Sequence, residues 1–268
     1  MEKFQVCWFS TGRDQAASQL LIRVLNEIIR GEIAGKISFV FSDREQGEAL
    51  ESETFLKLVK WCQIPLICLS SKKFKSSGGY KRFSPEWHLE YDREVMKLLK
   101  GFNPDICVLA GYMLIVGPEM CQKYKMINLH PALPEGPIGS WQEVTQKLIE
   151  NQATETGAMM HLVTPELDRG PVITYCRFSL RGKPFDEYWE EIKGRSLKRI
   201  KRWERQPLFK EIRKHGLARE FPLILATLKA FDRGEVKIEG DKVINVDGEV
   251  INGYNLTEEI DTVIRLSS

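Results

Sequence analysis

The sequence predicts an α/β fold: a mostly parallel, twisted sheet flanked by helices, with a small C-terminal β-hairpin. Three observations carry this. Apolar runs of four to seven residues alternate with longer amphipathic stretches through the first two-thirds of the chain, and strands buried on both faces read as such runs. At 268 residues, with 43% hydrophobic and 28% charged, the chain is long enough to bury a sizeable core. Toward the end the pattern changes to short alternating segments around Asp247-Gly248, a hairpin signal.

The elements follow in order. FQVCWF (4–9) is a strand, and AASQLLIRVLNEII (16–29) repeats apolar residues at helical steps. KISFVFS (36–42) and IPLICLS (64–70) are strands on either side of a helix at ETFLKLVKWC (53–62). A helix at 91–102 leads into a strand within PDICVLAGYM (104–113), and PEMCQKY (118–124) leads into MINLH (126–130). WQEVTQKLIE (141–150) is helical, AMMHLV (158–163) is a strand, and another strand opens after Gly170-Pro171. Beyond residue 181, Phe185, Trp189, Ile192, Ile200 and Trp203 keep helical spacing, and Pro207 is expected to break it. FPLILATLKAF (221–231) is a further helix, followed by VKI (236–238), KVINV (242–246) and VINGY (250–254). Residues 1–180 are therefore expected to form the core, 181–232 a helical segment and 233–268 a hairpin tail packed on the core.

Composition excludes several classes. Net charge is +2, so the molecule as a whole makes no electrostatic case for nucleic acid. The six cysteines, Cys7, Cys62, Cys68, Cys107, Cys121 and Cys176, form no C-x-x-C pair and no metal-ligand spacing; they read as reduced residues of a cytoplasmic protein. The N-terminus lacks a signal-peptide core, and no segment approaches the ~18 apolar residues of a membrane span.

Ligands of such sheets bind beyond the carboxyl ends of the strands, so loops after strands are where chemistry is sought. Asn128 and His130 stand two apart at the end of one strand, hence on one side of it, and Pro131 forces the chain out. An amide and an imidazole aimed at one point suit a developing oxyanion, with the His also able to move a proton near neutral pH. From spacing alone, the plainer reading of the pair is an Asn capping the loop and a His bonded to backbone. Asp168, before Arg169-Gly170-Pro171, either holds a turn through its own backbone or orients the His. His161, mid-strand among apolar neighbours, reads as a satisfied core residue.

AGYMLIVGPEM (110–120), INLHPAL (127–133) and VTPELDRGPVI (163–173), in that order, resemble the glycinamide ribonucleotide formyltransferases and the wider group using 10-formyltetrahydrofolate. The similarity is dense from Asp105 to Ile173 and looser at the first strand, the FPLIL helix and the tail. The resemblance implies a Rossmann-like formyltransferase fold and a transferase of one-carbon metabolism acting in purine biosynthesis. It implies Asn128, His130 and Asp168 as catalytic residues. An acceptor amine would attack the formyl carbon, and Asn128 and protonated His130 would donate to the oxyanion, each such donor being worth roughly 3–4 kcal/mol. The pteridine is expected against Met113, Leu114, Ile115 and Val116 and against Val163, Thr164 and Glu166. No metal is implied.

The acceptor half departs from the family's pattern. Where relatives carry a Gly-x-Gly-Ser-Asn loop for a phosphate, this chain has Ser10-Thr11-Gly12-Arg13-Asp14. Thr11, Gly12, Arg13 and Asp14 are the expected phosphate contacts, although a Ser/Thr/Asp helix cap explains the stretch as well. Leu114 stands where an Arg is usual, Met159 where a small hydroxyl residue is common, and Leu217 where a Glu holds the ribose, with Glu220 close by. Rival readings are formylation of a sugar amine or an aminoacyl-tRNA, and a hydrolase releasing formate. The hydrolases usually carry an extra N-terminal domain, and this chain starts at its first strand.

One segment stands apart in charge. Residues 193–214 hold ten Lys or Arg against two Glu, with Trp203 and Phe209 among them. The stretch is longer than in relatives and offers either a phosphate- or RNA-binding surface or the solvated face of an amphipathic helix. The expected partner is a small-molecule amine; a membrane is excluded, nucleic acid is not favoured, and a homodimer is allowed.

Overall fold

The computed structural model describes residues 3–194 and 202–267. Its strands are β1 (Phe4–Phe9), β2 (Gly35–Ser42), β3 (Leu66–Cys68), β4 (Ile106–Leu109), β5 (Met126–His130), β6 (Glu155–Leu162), β7 (Val172–Ser179), β8 (Val236–Glu239), β9 (Lys242–Asn245) and β10 (Tyr254–Asn255). Its helices are α1 (Gln15–Ile29), α2 (Leu50–Trp61), α3 (Pro85–Leu98), α4 (Pro118–Lys123), α5 (Trp141–Glu150), α6 (Phe185–Ile192), α7 (Pro207–Asp232) and α8 (Thr257–Ser267). Strand order is β10-β7-β6-β5-β4-β1-β2-β3, with β8 and β9 forming a separate hairpin. By compactness the chain divides into two units, 1–128 with 162–170 and 129–161 with 171–268.

In the first unit β1 pairs with β2 on one side and β4 on the other, β2 with β3, and β4 with β5, all parallel. All of β4 and β1 from Val6 onward are buried, which is why these strands read as unbroken apolar runs. The core gathers Phe9, Phe39, Phe41, Trp87, Tyr91 and Tyr112. Trp87 and Tyr91 stack at 5.0 Å, and Phe9 lies 5.2 Å from Phe41. Burying each such ring contributes about 1.5–3 kcal/mol. Helix starts are chemically marked: Ser84 caps α3 with Pro85 in its first turn, and Asp14 caps α1. Because β1 lies between β2 and β4, its carboxyl end is a topological switch point, and the loops after β1 and β4 are neighbours there.

In the second unit β6 and β7 are antiparallel and β10 joins β7 in parallel. A second core collects Val144, Leu148, Phe178, Phe185, Phe209 and Ile212. Two expectations are corrected here, on Pro207 and on the end of the tail. Pro207 does not break a helix but starts one, and α7 runs 26 residues through Pro222; proline in a first turn gives up an N–H that has no intrahelical partner anyway. The hairpin turns at Gly240-Asp241, between β8 and β9. Asp247-Gly248 turns the chain back a second time, as expected: Ile244 and Val250 form an antiparallel bridge, Ile251 N–H donates to the Val243 carbonyl at 2.9 Å, and Gly248 N–H closes the turn on the Asn245 carbonyl at 3.1 Å. Tyr254 leaves that region to pair with β7, and the tail then ends in α8, which the alternating pattern did not announce.

All six cysteines are unpaired, with Cys7, Cys107 and Cys176 buried. Among the described residues, no helix is long and apolar enough to cross a membrane.

Candidate active site

The first loop is built inward. Thr11 is only 2% exposed. Its hydroxyl donates to Asp43 Oδ1 at 2.6 Å and accepts the Met113 N–H at 3.0 Å. Gly12 has φ +61°, and a Cβ there would sit 2.8 Å from the Phe55 side chain, so the left-handed turn and the close approach both call for glycine. Asp14 accepts from Ala17 N–H at 3.1 Å, the cap that the sequence allowed as an alternative. Arg13 is exposed, its guanidinium 3.8 Å from the Asp14 carboxylate.

The loop after β4 forms a strap over residues 113–116. Met113 and Ile115 are exposed, Val116 is buried, and Leu114 packs on the first core. Both ends are tethered. Met113 N–H is held by Thr11, and Gly117 N–H donates to Asp92 Oδ2 at 2.5 Å. Asp92 is almost fully buried. Burial pushes its carboxyl up to about 7, the Gly117 N–H opposes this, and the charge of Glu119 adds to the rise.

Asn128 ends β5's run in this unit, half-buried and opposite Leu109 on β4. Val163 N–H donates to the Met126 carbonyl at 2.8 Å, which brings the start of the loop 163–170 beside β5. That loop is a tight turn. Thr164 Oγ donates to the Glu166 carbonyl at 3.1 Å, and Arg169 N–H reaches the same oxygen at 3.3 Å. Asp168 takes a left-handed backbone, φ +54°, a conformation Asp tolerates better than most residues. A Cβ at Gly170 would lie 1.7 Å from the Leu162 carbonyl oxygen, so the chain can turn there only as glycine. Leu167 projects into solvent.

In the second unit His130 is 3% exposed, and its Nε2–H donates to the Pro137 carbonyl at 2.8 Å. That carbonyl is positioned from both sides. Gly136 N–H closes a turn on Leu133 at 2.9 Å, and Ser140 and Glu143 form a capping box at the start of α5. The His161 ring, also buried, lies nearly perpendicular to His130 with centroids 6.4 Å apart.

Of the positions expected to differ at the acceptor end, Met159 and Leu217 sit in this unit, as does Glu220. Leu217 is exposed, whereas Glu220 is buried and bonded to Arg213. Of the basic segment, Lys198, Arg199, Ile200 and Lys201 lie outside the described residues. Phe209 is 2% exposed and Trp203 packs against the second core, so neither ring stands clear as a stacking platform.

The candidate residues of the first loop, the strap and β5 thus stand at the carboxyl ends of β1, β4 and β5, where an α/β sheet places its ligands. The profile described as "Formyl transferase" matches residues 14–180, which is more than half of the chain and contains Asn128, His130 and Asp168. The chain belongs to the formyl transferase family. It is 25% identical over 228 residues to phosphoribosylglycinamide formyltransferase of Haemophilus influenzae, spanning 84% of this chain and 87% of that protein. Against the Escherichia coli protein of the same name, identity is 40% over 90 residues, 32% of this chain and 41% of that protein. The solved structure of the phosphoribosylglycinamide formyltransferase of Coxiella burnetii shares the fold, with a TM-score of 0.68 at 22% identity, covering 95% of this chain and 99% of that one.

The backbone bond on His130 is the alternative that the spacing allowed; not legible beforehand in this formyl transferase were its partner Pro137, the buried Asp43 behind Thr11, and Asp92 behind the strap. Backbone carbonyls leave no mark in a sequence, and the two Asp contacts span 32 and 25 residues.

Proposed function

We propose that the chain transfers a formyl group from 10-formyltetrahydrofolate to the primary amine of glycinamide ribonucleotide, in the cytoplasm, as a step of purine biosynthesis. The observation that carries this is the family match, which runs continuously through the strap, the Asn128–His130 strand end and the Asp168 loop.

The residues at the donor end suit a pteridine. A flat heterocycle needs apolar cover and backbone donors and acceptors along its edge; Met113 and Ile115 are exposed on a strap tethered at both ends. The folate supplies the formyl group as an activated amide. Asn128 would donate its amide N–H to the oxygen that gains charge when the amine attacks, and His130 would supply a second donor and a proton route. The Pro137 carbonyl can only accept, so it holds a proton on Nε2 of His130 and leaves Nδ1 as the basic nitrogen of the neutral ring. Asp168 would stabilise the imidazolium and help remove the amine's proton. For the acceptor's phosphate, the exposed Arg13 and the backbone after Gly12 are the available groups.

The test is turnover of 10-formyltetrahydrofolate by the purified chain with and without glycinamide ribonucleotide. Loss of the formyl group only with the acceptor present supports the proposal. Equal loss without it would mean that water is the acceptor and formate the product, which overturns the transferase reading.

A further inference from the structure

We propose that Thr11 is a positioning residue that locks the strap of residues 113–116 to the first loop, so that occupancy of either loop is felt at the other. This rests on the functional reading above, in which the strap serves the donor and the first loop serves the acceptor.

A hydroxyl has one proton, and here its direction is determined. Asp43 is fully buried and can only accept; it takes the Thr11 proton on Oδ1 at 2.6 Å and the Ser71 proton on Oδ2 at 2.9 Å. The Thr11 oxygen therefore turns its lone pairs outward, and one of them receives Met113 N–H at 3.0 Å. The backbone of Thr11 adds two more bonds. Its N–H donates to the Gly111 carbonyl at 3.2 Å, and its own carbonyl accepts from Ser52 Oγ at 3.1 Å. One buried residue thus binds both flanks of the turn that leads into the strap, together with the ends of β2 and α2.

Thr11 is also rigidly continuous with the anion-facing residues, because Gly12 sits directly against Phe55 with no room for a Cβ. A shift of residues 12–14 on binding an anion is passed to Thr11, and from its hydroxyl to Met113. At its far end the strap is pinned by Asp92, so movement entering at Met113 is not dissipated there. A surface held this way is organised before its ligand arrives. The assignment also takes the Thr11 side chain out of the phosphate contacts: with 2% exposure and its proton committed to Asp43, it serves the protein rather than the substrate.

The experiment compares Thr11→Val, which keeps shape and loses the hydroxyl, with Thr11→Ser, which keeps the hydroxyl. Binding of 5-formyltetrahydrofolate, a folate that does not react, is followed by tryptophan fluorescence with and without saturating glycinamide ribonucleotide, alongside donor KM and kcat. Thr11→Val should raise the folate Kd and donor KM about five- to tenfold, the effect of one lost hydrogen bond. It should leave kcat within about twofold and abolish the influence of the acceptor on folate Kd, and Thr11→Ser should restore all three. A Thr11→Val protein with wild-type folate Kd and wild-type coupling overturns the inference. If Thr11→Val does not fold, amide exchange at Met113 in the wild type decides: slowing on addition of acceptor supports the lock, and no change overturns it. If the wild type binds no folate, the functional reading fails instead. The lock is then judged by whether Met113 exchanges faster in Thr11→Val than in wild type, equal rates overturning it.

Discussion

The Nε2–H of His130 donates to the carbonyl oxygen of Pro137 across 2.8 Å, and this bond decides where on the ring chemistry can occur. A carbonyl has no proton to give, so Nε2 keeps its hydrogen in both charge states and proton exchange falls to Nδ1. His130→Ala should fold, since the turn at 133–136 and the α5 capping box stand without the ring. Its turnover should drop by at least roughly 10². Steady-state rates together with a circular dichroism spectrum check this, and a folded variant of near-normal rate would remove His130 from the mechanism.

Asp168→Asn separates charge from backbone. Asn tolerates the left-handed conformation that position 168 requires, so thermal stability should change by less than about 1 kcal/mol. Turnover should fall by roughly 10² or more if the carboxylate supports an imidazolium. Calorimetry and initial rates on one preparation read both quantities.

Asp92 makes stability depend on pH in an uncommon direction. Its folded-state pKa, about 7, lies above the ordinary 3.8, so between those values the folded chain holds a proton that the unfolded chain has lost. The contribution is complete below about pH 4 and is lost as pH rises toward 7. Asp92→Asn keeps an acceptor for Gly117 N–H and cannot ionise, so its stability curve should lack this decline and exceed wild type at pH 8 by an amount on the order of a few kcal/mol. Urea unfolding from pH 4 to 8 measures it; parallel curves for the two proteins would show that the carboxyl titrates normally.

Arg13→Ala should act on one substrate only. The guanidinium is exposed, 3.8 Å from the Asp14 carboxylate, so folding and donor KM should stay as they are. The acceptor KM should rise about three- to tenfold, the loss of one charge-assisted contact to phosphate. Unchanged acceptor KM would move the phosphate away from this loop.

Much of this architecture could be read from residues alone, for a physical reason. β4 and β1 from Val6 onward are buried, and a strand in that setting is apolar along its length, which makes it visible as a run. Asn128, His130 and Asp168 stand out because polar residues at the ends of such runs are costly unless used. The misreadings occurred where one residue type serves two opposite ends. Pro207 can close a helix or open one, and only the packing of Leu208, Phe209 and Ile212 in the second core selects the opening. The α8 helix was hidden because its start is set by Asn255, whose side chain takes the Thr257 N–H at 3.0 Å, immediately after a two-residue strand. The tethers on the strap were invisible because they join distant residues, and nothing near Asp43 or Asp92 in the sequence names its partner.

The unpaired cysteines have a practical consequence. Burial pushes Cys68, Cys121 and Cys176 up to about 11 and raises Cys62 and Cys107 as well. At pH 7.5 a thiol with a pKa of about 11 is ionised in only roughly one molecule in several thousand, and alkylating reagents attack the ionised form. Cys68, Cys121 and Cys176 are therefore a quiet background for maleimide or iodoacetamide chemistry. A single cysteine installed by Arg13→Cys, in solvent and at the start of α1, would react far ahead of these three and carry a dye on the first loop.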